Sequence, residues 1–140
     1  KKGSLESYAS ATGVTKTALE FLENSKEDSL LRAVPAEEMS SKEVYEAAIQ
    51  GDKLAIEIFN YTGRILGIAL ANAVMIFSPE AIILFGGLMK AGDLILKPTK
   101  EHMEANVIEI FSNKTKLLVS HLKESDAAIL GASALVWGNT

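Results

Sequence analysis

Gly86 and Gly87 end an apolar run, Ala81-Ile82-Ile83-Leu84-Phe85, and a helical pattern resumes near Gly92-Asp93. Lacking Cβ atoms, the two glycines permit φ > 0 and let a ligand approach the main chain. They stand at the carboxyl end of a strand, where open α/β sheets hold their ligands. A helix N-terminus after the turn would aim free N–H groups and a positive dipole end at phosphate. The chemistry implied is nucleotide or phosphate binding, although the same turn also serves as ordinary loop geometry. Lys90 and Lys97, near enough in sequence to neutralise phosphate, also fit plain solvent-facing positions. Glu6 is an acid in the first turn of a short helical pattern (Leu5, Tyr8, Ala9), a place the helix dipole favours. His102 and His121 read as a helix-surface and a strand-end residue. With no cysteine in the chain, disulfides and thiolate ligands are excluded.

These residues need elements to hold them. The run at 81–85, bounded by Pro79 and the glycines, reads as a strand buried on both faces. Before it, Leu54, Ile58, Ile65, Ala69, Ala73 and Ile76 repeat at helical spacing and predict a long helix over 53–77, apolar nearly all round from Ile65 and therefore central. Gly63 and Gly67 keep its surface slim, and Arg64 belongs in solvent. Ser40 with Glu43 forms a capping box, and Met39 with Val44 a hydrophobic staple, for a helix over 41–50. Gly51 stops that helix and Asp52 caps the next. A helix over 14–24 starts at Thr15 as N-cap, with Gly13 closing the short pattern before it. Residues 25–36 read as a loop with a helical turn anchored by Leu30-Leu31. Pro98 should distort the first turns of the helix that opens near Asp93. Residues 116–122 form a second strand, which completes a βαβ crossover. The last helix, 126–137, is capped by Asp126, and its face of Gly131, Ala132, Ser133 and Ala134 is narrow enough to pack on the sheet.

Composition bounds the function. The chain has 140 residues, 48% of them apolar, enough for one folded unit with a real core. A net charge of −4 gives no basic footprint for nucleic acid. Neither a wholly apolar 18-residue span nor a signal peptide is evident, so no membrane partner and a cytoplasmic location are expected. The first residue is Lys1 rather than Met, and the opening residues read as the middle of a motif, so the chain is expected to be part of a longer protein.

Gly3-Ser4-Leu5-Glu6-Ser7-Tyr8-Ala9-Ser10 resembles the segment that closes the zinc motif C-x-C-G-x-x-G-C-x-E of the ROK family of bacterial sugar kinases and repressors. Lys1-Lys2-Gly3-Ser4-Leu5-Glu6 matches the tail of that motif. Gly51-Asp52-Lys53-Leu54-Ala55 resembles the opening of the family's long helix. Residues 72–87 are similar to its run from an A-N pair through P-E to a double glycine, and Asp126 to Ala134 to its closing helix.

The resemblance implies a helix-rich α/β chain, the C-terminal part of an actin-like fold built from two ribonuclease-H-like domains. It implies an ATP-dependent hexose kinase that uses Mg²⁺ and phosphorylates the 6-hydroxyl of a hexose, with glucose the first choice. The alternative is a sugar-sensing repressor with the same fold. It implies that Glu6 binds the sugar, that Gly86, Gly87 and Leu88 bind the nucleotide, and that the protein forms dimers or tetramers. The D-x-G-G-T loop, the aspartate base and the E-x-G-H motif would precede Lys1, so that this segment alone is expected to be inactive. Ser4 stands where a zinc-binding cysteine is usual, which leaves the structural zinc in question.

Overall fold

The computed structural model describes residues 3–122 and 124–137; Lys1 and Lys2 of the motif tail lie outside them. Five α-helices and two strands follow in the order α1 (Ala11–Asn24), α2 (Ser41–Ile49), α3 (Lys53–Phe77), β1 (Ala81–Leu84), α4 (Asp93–Asn106), β2 (Lys116–Val119) and α5 (Glu124–Trp137). The strands are parallel, with Ala81 opposite Lys116 and Leu84 opposite Val119, and α4 makes the crossover between them.

The long helix α3 is the spine. By length and composition alone it is apolar enough to cross a membrane, yet half of its most apolar stretch is buried within the chain. The absence of an 18-residue span expected from the sequence is corrected in that sense: α3 passes on composition, and its buried side chains mark it as a core helix. Leu54, Ala55, Ile58 and Phe59 join Val14, Ala18, Leu31, Met39 and Val44 in the main core between α1, α2 and α3. Phe21 of α1 meets Tyr61 of α3 edge to face, with centroids 5.4 Å apart. Arg64 is exposed as expected and lies over the Tyr61 ring.

Helices α3 and α4 approach to backbone contact. A Cβ at Gly63 would stand 2.7 Å from Pro98 Cγ, and one at Gly67 would stand 2.5 Å from the Thr99 carbonyl oxygen. The two glycines are therefore notches, which also explains how Pro98 is tolerated. The helix runs unbroken from Asp93 to Asn106 because the ring occupies the space that Gly63 leaves open. Thr62, in the same stretch, has a fully buried hydroxyl with no hydrogen-bond partner among the described residues.

Four boundaries differ from the sequence reading, each for a physical reason. Helix α1 begins at Ala11, and its N-cap is Ser10, whose hydroxyl accepts the Gly13 N–H at 3.0 Å. Thr15 is interior, its hydroxyl turned back to the Ala11 carbonyl. Gly13 is no C-cap; it is buried inside α1 because a Cβ there would lie 2.4 Å from the Tyr8 carbonyl oxygen. Strand β1 stops at Leu84 and is not buried on both faces: Ile83 is 65% exposed. Only its inner face, with Ile82 and Leu117, packs on Ala71, Val74 and Met103. Strand β2 ends at Val119, so His121 lies exposed beyond it. Helix α5 begins at Glu124, which places Asp126 in its first turn, and the residues from Gly131 to Ala134 are exposed rather than packed on the sheet.

Two polar groups order the loops. Partial burial pushes the Asp52 carboxyl up, but N–H bonds from Ala55 and Leu30 and the Ser29 hydroxyl outweigh it and hold the pKa below the usual 3.8. Asp52 thus caps α3 and fastens the 3₁₀ turn Leu30–Ala33 to it. The Arg32 guanidinium donates to the carbonyls of Leu22, Ser25 and Glu27, closing the C-terminal end of α1.

Candidate functional site

The chain leaves β1 through a conformation that only glycine adopts freely. Gly86 has φ 117 and ψ 173, and residues Gly87–Ala91 then coil into a 3₁₀ helix before Gly92, at φ 56, starts α4. The glycine turn therefore does not open directly onto an α-helix, as the sequence had suggested. The first turn of α4 carries Asp93, whose charge disfavours an anion at that dipole end.

Gly87 and Leu88 line a cleft of about 310 Å³ at this turn. Lys90 joins them from the same turn, Lys42 and Tyr45 enter from α2, Phe59 from α3, and the start of α1 closes one side. A volume of this order is at the lower end of what holds a small ligand with an aromatic base. Two ammonium groups at the rim and an aromatic wall suit a group with a flat ring and attached negative charge. Gly86 shapes the turn without lining the cleft. Lys97 is exposed on α4 and lines not this cleft but a neighbouring one that shares Tyr45 and Ala91, and His102 is half-buried against α3 at Gly67.

The α2 side of the cleft is fixed by the capping residues read from the sequence. The Ser40 hydroxyl donates to the Glu43 carboxylate and accepts the Lys42 N–H, and that bond to Ser40 is the main cause holding the Glu43 pKa below 4.5. Lys42 also pairs with Glu46 at 3.6 Å. Sequence reasoning missed Lys42 and Tyr45, since nothing in their spacing links α2 to a turn some forty residues later. The capping box signalled a well-fixed helix start but not its neighbour.

Glu6 lies in a 3₁₀ turn, Leu5–Ser7, with its carboxylate exposed. It does not line the cleft, although its turn leads through Ser10 to the start of α1, which does. Ser4 is the N-cap residue of that turn, with its hydroxyl 2.8 Å from the Ser7 hydroxyl. The sugar candidate and the nucleotide candidates thus sit on separate elements, and the structure brings Gly87 and Leu88, but not Glu6, into a single concavity.

A helix-rich α/β chain with a glycine-turn cleft beyond a parallel strand matches solved proteins of the actin-like ATPase fold. A ROK family glucokinase from Streptomyces griseus, in complex with glucose and AMPPNP, superposes with a TM-score of 0.81 at 28% identity, over 96% of this chain and 45% of that one. The ROK family model matches residues 1–139, and the chain belongs to the ROK family. It is 34% identical to a glucokinase of Halalkalibacterium halodurans over 97% of this chain and 41% of the relative. It is also 28% identical to the Escherichia coli DNA-binding transcriptional dual regulator NagC, over 96% of this chain and 32% of the relative. The chain therefore spans less than half the length of these relatives.

Proposed function

We propose that this chain is the C-terminal part of an ATP-dependent hexose kinase that transfers the γ-phosphoryl group to the 6-hydroxyl of glucose. The carrying observation is identity above 30% to glucokinases over nearly the whole chain. The cleft at Gly87 and Leu88 supports it, because it offers a ring-sized apolar wall with lysines at its mouth. In this reading Gly86, Gly87 and Leu88 seat the nucleotide, and Glu6 accepts hydrogen bonds from vicinal sugar hydroxyls, orienting the ring for in-line attack. The base that takes the hydroxyl proton lies in the part of the protein before Lys1.

Mg²⁺ bound with ATP would supply charge neutralisation for the phosphoryl transfer. Among the described residues no three His, Asp or Glu side chains gather to hold a metal. Dimers or tetramers in the cytoplasm, where ATP is made, complete this reading.

Similarity to NagC supports a second reading, a sugar-responsive repressor that binds hexose without phosphoryl transfer. A coupled ADP-release assay on the full-length protein over a panel of hexoses separates the two. Turnover on glucose supports the kinase, whereas saturable hexose binding without ADP supports the repressor. In either case Glu6→Gln should weaken hexose binding by about tenfold or more, the worth of a charge-assisted bond. Unchanged hexose affinity would remove Glu6 from the site.

A further inference from the structure

The turn that carries Glu6 is tied by serine hydroxyls three residues apart. Ser4 Oγ and Ser7 Oγ share a hydrogen bond of 2.8 Å across the turn. The Ser10 hydroxyl donates to the Glu6 carbonyl at 2.7 Å and accepts the Gly13 N–H at 3.0 Å. Beneath them the Tyr8 carbonyl presses on Gly13, so the turn rests directly on the first turn of α1. Residue 4 is the position at which the family pattern places a zinc-binding cysteine.

The donor set here does not fit that metal. A neutral hydroxyl is a weak zinc ligand beside a thiolate, and this one is already engaged by Ser7. We infer that the Ser4–Ser7 hydroxyl pair replaces the metal–thiolate bond as the tie of the Glu6 turn, making this side of the hexose site independent of zinc. A hydroxyl tie resists both chelators and thiol oxidants, which a zinc–thiolate tie does not. Ser4 and Ser7 are then positioning residues that act through Glu6.

What Glu6 binds rests on the function proposed above; the metal content does not. The first experiment is elemental analysis of the full-length protein purified from zinc-supplemented cells. No stoichiometric zinc is expected, together with an unfolding midpoint unmoved by a zinc-selective chelator; one zinc per chain overturns the inference. The second compares Ser4→Ala, Ser7→Ala and the double variant by hexose titration and steady-state kinetics. Each single change should raise the hexose Kd and KM by about fivefold, the worth of one hydrogen bond, and the double variant should add little. The KM for ATP should not move. Hexose affinity unchanged in the double variant overturns the tie. Loss of ADP release from the wild-type protein, by contrast, would strike the kinase reading and leave the zinc measurement standing.

Discussion

The helices α1 to α4 close on one another, while the sheet and α5 leave their outer faces open. In the first region Phe59 is 1% exposed and Gly63 and Gly67 admit the backbone of α4. In the second, Ile83 stands opposite Leu118 on the outer face, both exposed, and Ile129 and Leu130 are exposed on α5. A two-stranded parallel pair with one bare apolar face does not hold itself together in water. The helical region is an interior already formed; the sheet region is a surface shaped for cover, as fits a chain that spans less than half of its relatives. Sites at the edge of β1 are thus anchored from the helical side.

Substitutions can break or sharpen this contrast. The largest effect is expected at Phe59, where Phe59→Ala should cost about 3–5 kcal/mol in denaturant unfolding. Ile83→Ser should cost less than about 0.5 kcal/mol in these 140 residues and several times more in the full-length protein if its face is covered there. Equal costs in both lengths would show that nothing covers the sheet.

Next come two glycines. Gly67→Ala forces α3 and α4 apart and should lower stability by about 1–3 kcal/mol. Gly131→Ala meets nothing within 4 Å on α5 and should raise stability by about 0.5–1 kcal/mol through helix propensity. A loss at Gly131 would mean that α5 is packed tightly after all.

Asp52 tests how firmly the helical region holds its loop. Its folded pKa lies below 3.8, so its contribution is present above the unfolded value and is lost as pH falls through the folded one. Asp52→Asn keeps a capping acceptor but removes that dependence. Its difference from wild type, read by urea unfolding, should be greatest near neutral pH and shrink as pH falls through the lowered folded pKa. Thr62→Val, which removes a buried hydroxyl without a partner among the described residues, should stabilise by about 1 kcal/mol in the same unfolding assay.

What was legible in the sequence follows from how local each cause is. The caps at Ser40 and Asp52, the full extent of α3 and the glycine turn are written in neighbouring residues, and the structure repeats them. Gly13 was misread because its reason is the Tyr8 carbonyl, a close approach that no spacing encodes. The burial of β1 was overestimated because an apolar run tells of two covered faces without saying which atoms cover them. The narrow face of α5 misled in the same way. At the cleft, the turn at Gly86 and Gly87 was legible from the strand before it, whereas Lys42 and Tyr45 join the lining from α2 through tertiary packing alone.

At Gly86 the obstacle to a side chain is handedness rather than room. An ideal Cβ there meets nothing within 4 Å, yet φ 117 and ψ 173 mirror the extended conformation that every L-residue adopts with ease. The turn is thus achiral only because its residue is. A D-alanine placed there by chemical ligation would sit in its own strand-like minimum and stiffen the turn without strain, while the L-enantiomer would have to be forced.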